Sequence, residues 1–466
     1  MKCFMLVDFG STNTKLTVVD IENEEIVLTA KDITTIEDNI MNGYDAAYAK
    51  IADQIKEKNI EFVEKLGCSS AAGGLKTVAI GLVPELTSEA ARRAALGAGA
   101  KILGSYSYEL TEDDMEEIEG LNPDIILFSG GTDGGNQEVV LKNAKMMAKY
   151  KLTCPIVIAC NKSAQREISN IFEEAKFNWH RCENVMPKLN EINVDPVREI
   201  IREIFMDNIV HAKGLDNAVE YIGDVLMPTP AAVLQAAELL SKGTDLEDGI
   251  GDLLVVDIGG ATTDVHSLSL GYPSKGGISM KGLEEPFAKR TVEGDLGMRY
   301  SVEACYQAKE SGYRKFKRYL KEDLTPDQVQ AEIQKRHKDI RFIPESDLDK
   351  DFDATIGKVC TNIALERHAG HIETHYSPYG SMFAQYGKDL TGIKYLIGTG
   401  GVLVHSDQSK EILEAACFDI ENPDSLKPAN PKYLLDKTYI LSAMGLLATV
   451  KPDVAIRIMK KYLVSI

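Results

Sequence analysis

Close cysteine pairs are missing from this sequence. Its eight cysteines (Cys3, Cys68, Cys154, Cys160, Cys182, Cys305, Cys360 and Cys417) are scattered, with no CxxC among them. Disulfide scaffolds are dense and structural zinc uses ligands in close pairs, so both are excluded and free thiols are expected. Long apolar runs are missing too, since no stretch approaches the roughly 20 residues that a membrane span needs. Lys2 is followed by a run of only five apolar residues, too short for the core of a signal peptide, and a cytoplasmic location is expected. Positive charge is scarce: 52 basic residues stand against 71 acidic ones, a formal charge of −19. Neither nucleic acid nor an anionic membrane surface is therefore an expected partner.

What remains is a globular composition, 44% apolar and 26% charged, on a chain of 466 residues. That length exceeds one ordinary core, so two domains or more are expected. Phe4 to Val7 and Leu16 to Val19 read as strands around the polar stretch Asp8-Phe-Gly-Ser-Thr-Asn-Thr-Lys15, and a third strand covers Glu25 to Lys31. Tyr44, Ala47, Ile51 and Ile55 carry helical spacing through 43–59. A long alanine-rich helix begins at Thr87-Ser-Glu-Ala, with Thr87 or Ser88 as its N-cap. Ile102 to Leu110, Thr111 to Leu121 and Pro123 to Phe128 read as strand, helix and strand, and Ile156 to Cys160 as a further strand feeding the helix Ser163 to Glu174. Alternation of this kind indicates a mostly parallel α/β fold.

The second half restates the plan. Leu253 to Val256, the turn DIGGATTD and Val265 to Leu270 mirror the opening hairpin, and Tyr395 to Ile397 is a strand ending in GTGG. Aligning Asp8 with Asp257 also pairs Ile125–Gly131 (IILFSGG) with Tyr395–Gly401 (YLIGTGG), which suggests duplicated domains. The boundary is expected near Gly243 to Gly251, giving domains at 1–245 and 251–440 with C-terminal connecting helices at 441–466. The charged tract at about 309–353 reads as a helical insertion, where Thr325-Pro-Asp-Gln328 is a capping box. Arg314–Lys321 (RKFKRYLK) fits an amphipathic helix with a solvated basic face.

Both turns suit a phosphate, which needs several backbone N–H donors at close range and hence small side chains. Gly10, Ser11, Thr12 and Asn13 meet that need in the first turn; Gly259, Gly260, Ala261, Thr262 and Thr263 meet it in the second. Asp8 and Asp257 make sense as partners of a hydrated Mg²⁺, which binds few carboxylates and keeps its waters. Lys15 supplies positive charge or caps the strand's end. Two such hairpins are expected to clamp a nucleotide's phosphates. The glycines of GTGGVL (Gly398, Thr399, Gly400, Gly401, Val402) let adenine and ribose lie on the main chain. Asp133 in FSGGTDGGN, or Gln137 just after it, is placed to orient an attacking water. Glu293 and Asp295 are candidates for the ribose, and Asp295 equally for a helix N-cap. His368, His371 and His375 line one face if helical, although surface or partly buried histidines are the plainer reading and Gly370 weakens the helix.

These motifs resemble the actin-like ATPase superfamily of actin, sugar kinases and heat-shock ATPases. DFGSTNTK is similar to its first phosphate motif, VVDIGGATTD to its second and LIGTGGVL to its adenosine motif. SAMGLLA (Ser442–Ala448) resembles its second connecting helix, and SGGTDGG sits where the first connecting element should begin. Within that superfamily the chain resembles the glutamate mutase-associated MutL family through CSSAAGGLKTVAIGLV, TSEAARRAALGAGAKI, LFSGGTDGGN, VLMPTPAAVL, KRTVEGDLGMRYSV and ALERHAGHIETHYSPYG. The resemblance implies an α/β fold of two duplicated actin-like (ribonuclease H-like) domains around a nucleotide cleft, using ATP and Mg²⁺. It implies a slow Mg-dependent ATPase that reactivates an adenosylcobalamin-dependent mutase or aminomutase, of the glutamate mutase or ornithine aminomutase type, by promoting release of damaged cobalamin. A homo-oligomer is compatible with it. The alternatives are a small-molecule kinase with Asp133 as base, a filament-forming relative, and an iron–sulfur activator whose bridging cysteines are not apparent here.

Overall fold

The computed structural model describes residues 1–10, 13–34, 40–69, 75–212, 225–378 and 380–466. The chain forms two compact units. The first comprises Met1–Ala236, Gly282–Glu284 and Ser442–Ile458; the second comprises Ala237–Lys281, Glu285–Leu441 and Met459–Ile466. The division falls inside the helix Thr229–Lys242, a few residues before the boundary expected near Gly243 to Gly251, and the C-terminal segment is shared out between both units.

In the first unit, strand β1 (Lys2–Phe9) is antiparallel to β2 (Asn13–Asp20), and β2 to β3 (Glu25–Ile33). On its other side β1 is parallel to β4 (Glu61–Ser69), which is parallel in turn to β10 (Val225–Pro228). From Cys3 to Phe9 every residue of β1 is buried, which explains its unbroken apolar run. Tyr44, Ala47, Ile51 and Ile55 join the core that holds Met5 and Val7, as their spacing requires. Tyr44 and Ala47 do so from the helix Ile40–Ala49 and Ile55 from the helix Ala52–Glu57, with Ile51 at the break between them, where i→i+3 bonds at Lys50 and Ile51 interrupt the run. The alanine-rich helix runs from Glu89 to Gly97 without a side-chain cap. Thr87 accepts instead from the amides of Leu82 and Val83, in the turn before it.

A second sheet of this unit is wholly parallel, in the order β6 (Lys101–Tyr106), β5 (Lys76–Ile80), β7 (Ile125–Phe128), β8 (Ile156–Ile158) and β9 (Trp179–Arg181). It has its own core of Val78, Ile80, Ile126, Phe128 and Phe172. Helix Glu112–Leu121 starts at a full capping box on Thr111, and helix Lys162–Glu174 at an Asn161 cap.

The second unit repeats the first sheet strand for strand. β11 (Leu253–Ile258) is antiparallel to β12 (Thr263–Leu268), and β12 to β14 (Ala288–Glu293); β11 is parallel to β17 (Tyr395–Thr399), and β17 to β18 (Lys432–Leu435). A short β19 (Val464–Ser465) extends the edge, and a separate sheet joins β13 (Ile278–Lys281), β16 (Gly380–Tyr386) and β15 (His371–Ser377). The chain is thus an α/β protein with a duplicated five-stranded plan, as expected. One pairing of landmarks is corrected, however. The counterpart of β17 is β4, which ends in Cys68-Ser69, and not β7 with its IILFSGG, which belongs to the additional sheet. SGGTDGG accordingly begins no connecting element; helix Thr229–Lys242 carries the chain into the second unit, and Leu441–Ala448 brings it back.

The expected insertion is helical: Tyr313–Tyr319 and Pro326–Lys338, with the Thr325 capping box formed, lead into Asp347–His368. Its charges are not all solvated. Arg336 is fully buried, with Asp353 and Glu332 each 2.6 Å away, so its charge is paired. On the RKFKRYLK helix Phe316 points into the core, and Arg314 and Lys317 face out. The basic face is largely exposed, as expected, although Lys315 donates to Asn362 and Arg318, itself exposed, forks onto Asp419.

Candidate functional site

Each hairpin owes its shape to the same contact. The Gly10 amide donates to the Asn13 carbonyl at 3.1 Å, and the Gly259 amide to that of Thr262 at 2.9 Å. A Cβ on Gly10 would lie 2.6 Å from the Asn13 oxygen, and one on Gly259 3.1 Å from the Thr262 oxygen, so small residues are required there. Asp8 and Asp257 occupy matching ladder positions: Asp8 pairs with Lys15 and Cys68, Asp257 with Asp264 and Thr399. Ser11 and Thr12 lie outside the described residues.

In the first unit the Asp8 carboxylate is buried and ringed by donors. Its Oδ1 accepts from Thr229 Oγ1 at 2.7 Å and from Cys68 Sγ at 3.6 Å; its Oδ2 accepts from Ser442 Oγ at 3.0 Å, with Lys15 Nζ 3.7 Å away. Burial, reinforced by the Asp8 charge, pushes the Cys68 thiol well above its ordinary range, so it stays a protonated donor. Thr229 and Ser442 escaped sequence reasoning because they stand 221 and 434 residues from Asp8. The available signal was that Thr229 precedes a proline at a helix start and Ser442 opens SAMGLLA.

In the second unit the turn is buttressed from behind. Met298 donates to the Gly259 carbonyl, Arg299 and Tyr300 to that of Gly260, and Ser301 Oγ to that of Ala261 at 2.6 Å. Thr263 Oγ1 donates to the Leu296 carbonyl. With its carbonyls tied back, the turn keeps its amides for other use: among the described residues, those of Gly260 and Ala261 make no hydrogen bond. Thr262 donates to Asp264, whose carboxylate Arg290 holds at 2.6 Å. EGDLGMR is therefore a packed turn rather than a helix start. The next helix, Val302–Gln307, follows Ser301, so Asp295 is no N-cap. Arg367 bridges both ribose candidates, reaching Glu293 at 2.8 Å and Asp295 at 2.7 Å as well as Glu310.

The glycines at the end of β17 and just after it differ in what surrounds them. A Cβ on Gly400 (φ +103°) would lie 2.3 Å from the Ile258 oxygen, and one on Gly398 would press between Leu413 and Leu403. At Gly401 the nearest atom is the Tyr439 hydroxyl, at 3.9 Å. Val402 packs against the core from the helix Gly401–His405. Thr399 Oγ1 lies 3.4 Å from Asp436, which also accepts the amides of Ile440 and Leu441. Burial, with Asp257 and Asp436 adding their charge, raises the Tyr439 phenol above its usual range.

Asp133 sits after β7, where its Oδ1 accepts from Asn184 Nδ2 and the Lys162 amide, both at 3.0 Å; Gln137 precedes the helix Glu138–Met147. The three histidines do not share a helical face. The helix ends at His368, which is fully buried between Thr291 and Ser267, while His371 and His375 lie exposed on β15 beside Glu373. Among the described residues no cluster of three or more His, Cys, Asp or Glu side chains forms a metal centre, and no helix is long and apolar enough to cross a membrane.

A model of the MutL protein family matches residues 4–463. This chain belongs to the MutL family. A curated relative called Protein MutL, from Clostridium tetanomorphum, is 59% identical over 466 residues, the full length of both chains. Among solved structures, gluconate kinase from Lactobacillus acidophilus aligns with 100% of this chain and 92% of its own, at 10% identity and a TM-score of 0.36. Glycerol kinase from Plasmodium falciparum, solved with ADP, aligns with 97% of this chain and 90% of its own, at 10% identity and a TM-score of 0.34. Similarity at that level decides nothing about function.

Proposed function

We propose that this chain binds and slowly hydrolyses Mg·ATP and acts as a reactivating factor for an adenosylcobalamin-dependent mutase or aminomutase, promoting release of damaged cobalamin. The observation that carries the nucleotide part is the repeated hairpin, with the same glycine-closed turn and an acid at the same ladder position in each unit. MutL membership and the resemblance to glutamate mutase-associated proteins support the client.

The residues present suit the ligands. The amides of Gly260 and Ala261 are the donors that a phosphate needs, and the turn's tied-back carbonyls keep repulsive oxygens away from it. Asp8, with its oxygens already accepting from protein donors, suits a cation that keeps its own water shell, as Mg²⁺ does. Asp257 holds the matching position, and Lys15 adds positive charge beside the first turn. Bound ATP supplies the phosphoanhydride whose hydrolysis drives the cycle. Gly10 and Asn13 shape the first turn, and Thr262 and Thr263 fix the second. Gly401 offers open main chain to an adenosine, whereas Gly398 and Gly400 are needed by the packing beneath it. Glu293 serves the ribose only once Arg367 yields it, and Asp133 is better placed as the anchor of its own loop.

The test is recovery of an inactivated adenosylcobalamin mutase on addition of this protein, Mg·ATP and fresh cofactor, with phosphate release followed in parallel. Recovery that needs hydrolysable ATP and is lost in Asp8→Asn is the expected result. Phosphate release without recovery of any mutase would remove the client and leave an ATPase. Stimulation of that release by a sugar or a small acid would point to a kinase.

A further inference from the structure

We infer that Thr229, Ser442 and Cys68 are positioning residues that hold the Asp8 carboxylate and thereby set the affinity of this protein for the divalent cation accompanying the nucleotide; the inference rests on the nucleotide reading above. The three donors reach Asp8 from different parts of the first unit: Cys68 from the end of β4, Thr229 and Ser442 from the first turns of two helices. They also meet one another, for Thr229 Oγ1 lies 3.6 Å from Cys68 Sγ.

Their chemistry matters as much as their reach. Hydroxyl and thiol donors stabilise an ionised carboxylate without cancelling its charge. Asp264 in the second unit shows the other solution: its carboxylate is held at 2.6 Å by Arg290, so its negative charge is matched. Lys15 makes an ion pair with Asp8 Oδ2 at 3.7 Å, longer than the Arg290–Asp264 contact and with its side chain partly exposed. Asp8 is therefore less closely matched by positive charge than Asp264 and is oriented on both oxygens, as attraction of a hydrated dication requires.

The two hydroxyls are rigidly placed. A Cβ on Gly445 would come within 1.9 Å of the Ala232 carbonyl oxygen, so the helices that carry Thr229 and Ser442 meet backbone to backbone just beyond those residues. A hydroxyl mounted on such a contact has little room to drift, and a positioned acid needs that support.

The experiment titrates free Mg²⁺ against binding of a fluorescent ATP analogue to the full chain and to Thr229→Val, Thr229→Ser, Ser442→Ala and Cys68→Ser. Loss of a hydrogen bond to a charged group should raise the half-saturating Mg²⁺ about tenfold in Thr229→Val and by a smaller factor in Ser442→Ala. Thr229→Ser, which restores the hydroxyl, and Cys68→Ser, which replaces a weak donor with a stronger one, should stay near the wild type. Nucleotide affinity in EDTA should be the same in all of them, which a general loss of structure would not leave untouched. Unchanged Mg²⁺ dependence in both Thr229→Val and Ser442→Ala would overturn the inference. If Thr229→Val does not fold, Ser442→Ala decides. Failure of the wild-type chain to bind nucleotide at any Mg²⁺ concentration would overturn the underlying nucleotide reading, and this inference with it.

Discussion

His266 and His368 lie inside the second unit at 1% and 0% exposure, where burial disfavours the charged imidazolium. Burial pushes His266 down to about 3, with Arg290 opposing its charge further. Burial, then Lys289 and Lys388, holds His368 well below the imidazole range. The unfolded chain titrates both near 6.5, so below that pH the unfolded state binds more protons and stability falls with acid. Each histidine contributes a slope of up to about 1.4 kcal/mol per pH unit, starting above the range in which carboxylates titrate. Urea unfolding at pH 7, 6 and 5 should show this decline, and His368→Gln should show a shallower one even if its stability at pH 7 is lower. Parallel declines in the two proteins would sink the assignment. The histidine spacing in the sequence suggested a shared helical face, yet Gly370 already marked the place where the helix stops. A Cβ there would lie 2.4 Å from the Tyr386 carbonyl, so the strand pairing that ends the helix depends on this glycine. Spacing was legible, whereas the hydroxyls that receive the His368 ring, 77 and 101 residues away in sequence, were not.

Elements repeat more faithfully than single residues do. Both hairpins were legible because an acid, a glycine and small polar residues interrupt an apolar run in each, and that pattern is local. The additional parallel sheet was not legible as such, since β7 and β17 both read as a buried strand ending in two glycines. Only their neighbours tell them apart: β17 lies beside the acid-bearing β11, and β7 lies between β5 and β8. The same dependence on neighbours separates two glycines of the candidate site region. Gly445 has the Ala232 carbonyl within 1.9 Å of a Cβ position, so Gly445→Ala should cost about 1–3 kcal/mol as the helices are forced apart. Gly401 has only the Tyr439 hydroxyl near, at 3.9 Å, so Gly401→Ala should leave the melting temperature almost unchanged. If the main chain at Gly401 receives adenosine, that variant should nevertheless bind ATP more weakly. Calorimetric melting of both variants, with ATP titration of the second, checks the pair, and a marked loss of stability in Gly401→Ala would contradict the argument.

Across the whole molecule, folding and ligand binding are linked by mass action. A ligand present at about a hundred times its Kd stabilises the folded state it binds by about 2.7 kcal/mol, and that gain is distributed to whatever the ligand touches. Each unit has its own acid-bearing sheet and its own core, so the two turns can be read out separately by hydrogen exchange. If each turn contacts nucleotide phosphate, a non-hydrolysable ATP analogue with Mg²⁺ should slow exchange in peptides covering β1–β2 and in peptides covering β11–β12. Asp8→Asn should lower the protection at the first hairpin at a given analogue concentration, Asp257→Asn that at the second, and raising the concentration should recover part of it in both. Protection confined to the second hairpin would mean that the duplicated plan has kept only one of its turns for phosphate. The Asp8 pocket, with its three neutral donors, would then need another explanation. Protection at neither hairpin, in a chain that remains folded, would leave the repeat as a property of the fold alone.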